Sequence, residues 1–186
     1  EHPRWLALGD TLRRHAVPLQ PLLELLERVA SDLGPVEMRT FAELERYSYQ
    51  VAGVVGLMLG PVLGAERRGF DAHGVRLGIA MQLTNVLRDV GEALGENRVY
   101  LPADELAAFG LDRAALERGV VTPAFRRFMA FQVRRARQHF AAGDAVVDLF
   151  PPDGSRMTVR LMQRTYAGIL DAIERQDYDV FRLRAH

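Results

Sequence analysis

Five polar residues, Gln82, Asn85, Arg88, Asp89 and Glu92, are interleaved with apolar ones between Leu77 and Leu94. At about 100° per helical residue, Gln82, Asn85, Asp89 and Glu92 fall within roughly 80° of one another, while Leu83, Leu87, Val90 and Leu94 gather on the other side. Amide and carboxylate oxygens on one face are what a hard cation such as Mg²⁺ takes, alongside water and phosphate oxygens. Arg88 beside Asp89 adds a planar cation suited to diphosphate oxygens. The competing reading is an ordinary solvated helix face. Against it, amides are poorer solubilisers than the Glu/Arg mixtures used elsewhere in the chain.

A second segment, from Tyr47 to Gly60, carries Gly53, Gly56 and Gly60. A glycine inside a helix costs on the order of 1 kcal/mol relative to alanine, so such a series requires either close helix approach or room for a ligand. Tyr47, Val51, Val54 and Met58 share one face at helical spacing and could line an apolar tunnel. Tight packing explains the same glycines equally well.

The elements that must position these residues are helical. Apolar residues recur with period 3.6, and no stretch alternates as a strand would, so the fold class is all-α. The spacing predicts helices from Pro3 to His15 and from Leu19 to Leu33, the second with Leu22, Leu23, Leu26 and Val29 as its apolar stripe. Thr40 and Glu43 form a capping box that opens a long helix towards Gly60-Pro61. One helix is expected from Gly74 to Gly95, and short ones from Pro102 to Phe109 and Asp112 to Arg118. Thr122-Pro123 starts a helix reaching Leu149, Pro151 to Gly154 breaks the chain, and a last helix runs from Ser155 to Asp177.

Composition narrows the chemistry. The 186 residues suit a single domain, 1–186, and their 24 acidic and 24 basic side chains balance, so no global field draws the chain onto nucleic acid. Every basic residue is arginine, which excludes a lysine Schiff base and a P-loop lysine. The absence of cysteine excludes disulfides and thiolate sites. No apolar run reaches the roughly 18 residues of a membrane span, and Glu1-His2-Pro3-Arg4 has no leader pattern; the default location is cytoplasmic. The chain has no initiator methionine and opens at the edge of a helical pattern, as a piece of a longer protein would.

Three stretches carry a family resemblance: Tyr47-x-x-x-Val-Ala-Gly-x-Val-Gly-x-Met, Gln82-Leu-Thr-Asn-x-Leu-Arg-Asp-Val-Gly-Glu, and Arg98-Val-Tyr-Leu-Pro-x-Asp-x-Leu. In wording, order and spacing they resemble the signatures of the phytoene and squalene synthases, the bacterial phytoene synthases above all. The resemblance implies the isoprenoid synthase fold, with helices around a central apolar cavity and two aspartate-rich helices facing each other across bound Mg²⁺, for which Mn²⁺ could substitute. It also implies head-to-head condensation of two allylic prenyl diphosphates, geranylgeranyl diphosphate to phytoene first, with squalene or dehydrosqualene synthesis as the alternative. Peripheral membrane association would serve release of the apolar product. By matching position, Asp89 resembles a Mg²⁺ ligand with Asn85 and Gln82 as its polar neighbours, and Arg88 and Tyr100 resemble diphosphate contacts. Tyr47, Val51, Val55, Leu77, Met81 and Tyr166 resemble cavity-wall residues.

Two departures stand out. The family's second motif reads Asp-x-x-x-Asp, whereas Asp89 is followed by Ala93, leaving Glu92 or Glu96 as the nearest substitutes. The first aspartate-rich motif is absent near the N-terminus, so the expectation is a domain without its N-terminal helices. A non-catalytic homologue that binds prenyl lipids is the competing reading.

Overall fold

A computed structural model describes residues 2–31 and 34–185. It contains ten α-helices among the described residues: α1 (Pro3–Arg14), α2 (Leu19–Ser31), α3 (Phe41–Ser48), α4 (Val54–Val62), α5 (Phe70–Arg88), α6 (Val90–Gly95), α7 (Ala103–Ala108), α8 (Arg113–Glu117), α9 (Pro123–Gly143) and α10 (Gly154–Arg175). The caps expected from sequence are made. Thr40 Oγ1 accepts from the Glu43 amide at 3.3 Å, and Thr122 Oγ1 accepts from the Phe125 amide at 3.2 Å, each satisfying an otherwise orphaned N–H. The Glu43 carboxylate reaches back to the Arg39 amide at 2.7 Å, one residue before the cap.

Helix α5 is the axis of the bundle. It packs against α9, α4, α10 and α3, and buries Phe70, Leu77, Ile79, Ala80, Leu83, Val86 and Leu87. Helix α9 crosses it closely enough that a Cβ on Gly143 would lie 2.8 Å from the Leu77 nitrogen, and α9 contributes the fully buried Phe128, Met129, Val133 and Ala136. Such a crossing requires glycine, because backbone on the facing helix has nowhere to move.

Four expectations are corrected. The helix beginning at Thr40 is interrupted by a π-helical turn, Tyr49–Gly53, before α4 resumes. At this turn the Ala52 backbone meets α5: a Cβ on Gly78 would stand 2.7 Å from the Ala52 carbonyl oxygen, and one on Gly56 would stand 3.1 Å from the Gly74 carbonyl oxygen. The glycines thus form a seam of close backbone approach between α5 and the π turn with α4.

The single helix expected from Gly74 to Gly95 starts earlier, at Phe70, and breaks at Asp89, whose φ of −103° and ψ of 23° leave the helical region. In an unbroken helix the Gly91 amide would bond to residue 87. Here it donates instead to the Val180 carbonyl at 3.2 Å.

The stripe on α2 does not face the core. Leu23, Leu26 and Val29 are exposed, while Pro21 is buried and α2 leans on α4 and the π turn by another side. The predicted end of that helix, Leu33, lies outside the described residues. At the far end of the sequence, α9 gives way at Asp144 to a 3₁₀ turn, Asp144–Leu149, and α10 ends at Arg175 because Asp177 and Tyr178 turn left-handed, with φ of 57° and 61°.

A short parallel pairing that the sequence did not announce fixes the loop after α6. Strand β1 (Val36–Glu37) lies beside β2 (Arg98–Val99), and the Met38 amide continues the ladder to the Val99 carbonyl at 3.0 Å. The Ala103 and Asp104 amides then bond to the Met38 and Arg39 carbonyls, each at 3.0 Å. This clamp holds Tyr100 against α3.

Candidate functional site

The polar face on α5 converges at the helix's last turn. Arg88 grips Asp89 through two parallel hydrogen bonds, Nε to Oδ1 at 2.8 Å and Nη2 to Oδ2 at 2.6 Å, the fork geometry in which a guanidinium and a carboxylate bind most strongly. The hydrogen bond to Asp89 holds the Arg88 guanidinium further into its charged form, with Tyr166 and Glu92 contributing field and burial opposing. Asn85 donates to the Gln82 carbonyl oxygen at 3.4 Å, and its own Oδ1 is buried with no hydrogen-bond partner.

A second guanidinium arrives from the C-terminal segment. Arg184 Nε lies 3.2 Å from Asp89 Oδ1, and its Nη1 lies 3.5 Å from a Glu92 oxygen. Together Arg88, Asp89, Glu92 and residues 180–184 enclose a cavity of about 180 Å³. Arg184 was not legible in the sequence. No local spacing marks it, since its partners lie on the other side of a long stretch of chain.

Tyr47 and Tyr100 are brought together, their rings 5.0 Å apart and inclined by 30°. The Arg28 guanidinium sits 4.9 Å from the centre of the Tyr47 ring, a cation–π contact from α2 that sequence reasoning also missed. Its signal was the one basic residue of α2, in the helix's last turn. Among the remaining expected wall residues, Leu77 is buried, and Val51, Met81 and Tyr166 are half-buried against the core, as Val55 is within α4. None of these lines an open groove of about 640 Å³ among Glu45, Arg46, Tyr49, Leu57, Arg76 and Ile79. Ala93, one turn past Asp89, lies in a narrow cleft with Val86, Val90, Leu94, Tyr100 and Leu116, apart from the cavity that Asp89 lines.

Do these residues fit a divalent cation? Both oxygens of Asp89 are engaged by guanidinium groups, and among the described residues no cluster of three or more His, Asp or Glu side chains could hold a metal. Asn85 Oδ1 is one neutral free donor. In this arrangement the set does not fit Mg²⁺, which takes carboxylate oxygens in near-octahedral geometry.

An all-α bundle with arginine, carboxylate and amide groups at the end of its central helix is the architecture of the isoprenoid synthases, and solved structures of that class superpose closely. A squalene synthase from Alicyclobacillus acidocaldarius matches with a TM-score of 0.90 at 28% identity, covering 96% of this chain and 67% of that one. A dehydrosqualene synthase solved with a ligand matches with a TM-score of 0.88 at 29% identity, covering 96% and 62%. The profile of the squalene/phytoene synthase family matches residues 1–186, and the chain belongs to that family.

Curated relatives include a phytoene synthase of Thermus thermophilus, 43% identical over 96% of this chain, and a 15-cis-phytoene synthase of Synechococcus elongatus, 40% identical over 97%. A chloroplastic phytoene synthase of Zea mays is 42% identical over 97% of the chain. The chain spans 61%, 62% and 45% of those proteins, less than two thirds of each. No helix among the described residues is long and apolar enough to cross a membrane.

Proposed function

We propose that the protein condenses two allylic prenyl diphosphates head to head, with geranylgeranyl diphosphate to phytoene as the reaction. The observation that carries this reading is that matches to phytoene synthases at 40% identity or more cover 96% and 97% of the chain, in which Arg88 and Asp89 pair at the end of the central helix. In this reading Arg88 binds diphosphate oxygens and stabilises the charge that builds as the leaving group departs. Tyr47 and Tyr100 close the polar end, while Gln82 and Asn85 orient the headgroup through their amides. Val51, Val55, Leu77, Met81 and Tyr166 contact the prenyl chain and keep water from the allylic cation.

Dependence on Mg²⁺, with Mn²⁺ as substitute, belongs to the proposal for the whole protein through the family. No step assigned to these residues runs through the ion. A cytoplasmic location with peripheral membrane contact for product release belongs to the same proposal. One observation favours a non-catalytic prenyl-lipid-binding homologue instead: Asp89 is neutralised by two arginines, and Ala93 stands where the family has a carboxylate.

The deciding experiment is incubation of the full-length protein with geranylgeranyl diphosphate and Mg²⁺, followed by chromatography and mass spectrometry of the extracted lipid. Phytoene is the expected product. Recovery of unreacted diphosphate alone, with prenyl diphosphate still bound by the protein, would favour the lipid-binding reading.

A further inference from the structure

The two segments that carry Tyr47 and Tyr100 are anchored to one side chain on α9. Tyr47 lies on α3, which begins at Phe41, and Tyr100 lies just ahead of α7. The Arg135 guanidinium sits 3.7 Å from the centre of the Phe41 ring and 4.6 Å from that of Phe131. It also grips Glu105, in the first turn of α7, with Nη1 to Oε2 at 2.9 Å and Nη2 to Oε1 at 2.5 Å. Gln132 completes the network: its Nε2 donates to Glu105 Oε2 at 2.6 Å, and its Oε1 accepts from Arg135 Nη1 at 3.2 Å. Gln132 is only 3% exposed, so both ends of a buried amide are satisfied here.

Little slack separates this network from the tyrosines. Leu101 and Pro102, between Tyr100 and α7, are buried, and the Ala103 and Asp104 amides bond to the carbonyls of Met38 and Arg39, just ahead of α3. Moving α7 therefore moves Tyr100, and moving α3 moves Tyr47, whose ring lies 5.0 Å from that of Tyr100. Adhesion alone does not call for charge, because apolar side chains of similar volume commonly hold helices as well as a buried ion pair does. What a forked pair adds is direction, since its two hydrogen bonds fix angle as well as distance.

We propose that the Glu105–Gln132–Arg135 network is a positioning device for the Tyr47–Tyr100 pair, tying α7 and α3 to one guanidinium on α9. It rests on the reading of that pair as the closure of the polar end of the site. There a displacement of about 1 Å slows the chemical step far more than it weakens substrate binding. Arg135 acts through α3 and α7.

The test replaces the whole network at once in the full-length protein, with Glu105→Met, Gln132→Leu and Arg135→Met together. No buried polar partner is then left unpaired, and thioether groups stay against the Phe41 and Phe131 rings. The urea midpoint is expected to stay at or above that of the wild type. The expected kinetic change is a kcat for geranylgeranyl diphosphate lower by about tenfold to a hundredfold, with KM held within about twofold. In protein labelled at its tyrosine rings, the Tyr47 and Tyr100 NMR signals, assigned through Tyr47→Phe and Tyr100→Phe, should both shift while that of Tyr178 stays. Arg134→Gln, at an exposed position of the same helix, should change none of these.

Wild-type kcat in the triple variant overturns the proposal and leaves the network as packing alone. Should the triple variant fail to fold, Arg135→Lys decides, since an ammonium keeps the charge beside Glu105 and loses the fork. A lower kcat there at unchanged KM supports the positioning role, and a wild-type kcat overturns it. The tyrosine signals need no turnover. If the wild type makes no condensation product, the proposed activity falls; Tyr47 and Tyr100 signals that move together in the triple variant then leave the positioning standing, and unmoved signals remove it as well.

Discussion

Helix α5 is held in two unlike ways along its length. Its first half meets the π turn and α4 through backbone, with Gly78 against the Ala52 carbonyl and Gly56 against that of Gly74. Its last turn meets its neighbours through charge, with Arg88 and Arg184 on Asp89. A backbone seam has no slack, so any added atom displaces a helix. An ion pair can trade one partner for another without repacking. The contrast assigns stability to the seam and adaptable chemistry to the helix end.

The largest expected effect breaks the seam. Gly78→Ala puts a methyl 2.7 Å from a carbonyl oxygen and should cost about 2–4 kcal/mol in urea denaturation. Gly60→Ala looks worse on distance, at 2.2 Å from the Phe70 ring, but that ring is a side chain and can turn away. Its cost should be smaller, about 1–2 kcal/mol. Equal losses for the two would mean that backbone contact is not what distinguishes the seam.

A smaller effect sharpens the comparison from a third place, beside α3. His139 on α9 is buried, its Nδ1 has no hydrogen-bond partner, and its Nε2 lies 3.8 Å from Glu45. Burial pushes its pKa below the usual histidine range; Glu45 opposes this, and Arg76 and Arg135 add to it. The unfolded chain therefore binds this proton at higher pH than the folded one. The contribution of neutral His139 is fully present above about pH 6.5, falls as pH drops through that unfolded value, and levels off below the folded pKa. His139→Gln should flatten stability against pH across this window. An unchanged slope would assign the acid sensitivity to another group.

The helices were legible because local rules decided them. Thr40, Thr122 and Pro123 cap as their types demand, and the 3.6 period gives the class. What was not legible depends on contacts between distant segments. The break at Asp89 follows from Val180 taking the Gly91 amide, and no property of residues 85–92 announces that. Beyond that break Glu92 still shares a cavity with Asp89, whereas Ala93 lines another. Arg88 beside Asp89 could be read because the two are sequence neighbours. Arg184 and Arg28 could not, because folding alone brings them to Asp89 and Tyr47. The outward stripe on α2 misled because periodicity shows that a helix has an apolar face without saying which surface meets it.

The central claim, chemistry at the charged end and stability in the seam, is tested most directly by Asp89→Asn in the full-length protein, with product formation and unfolding measured on the same preparation. The account predicts that condensation of geranylgeranyl diphosphate falls about a hundredfold or more, while stability changes by about 1 kcal/mol or less because the pair is partly exposed. Product formed at the wild-type rate, or activity lost only in step with unfolding, would contradict it.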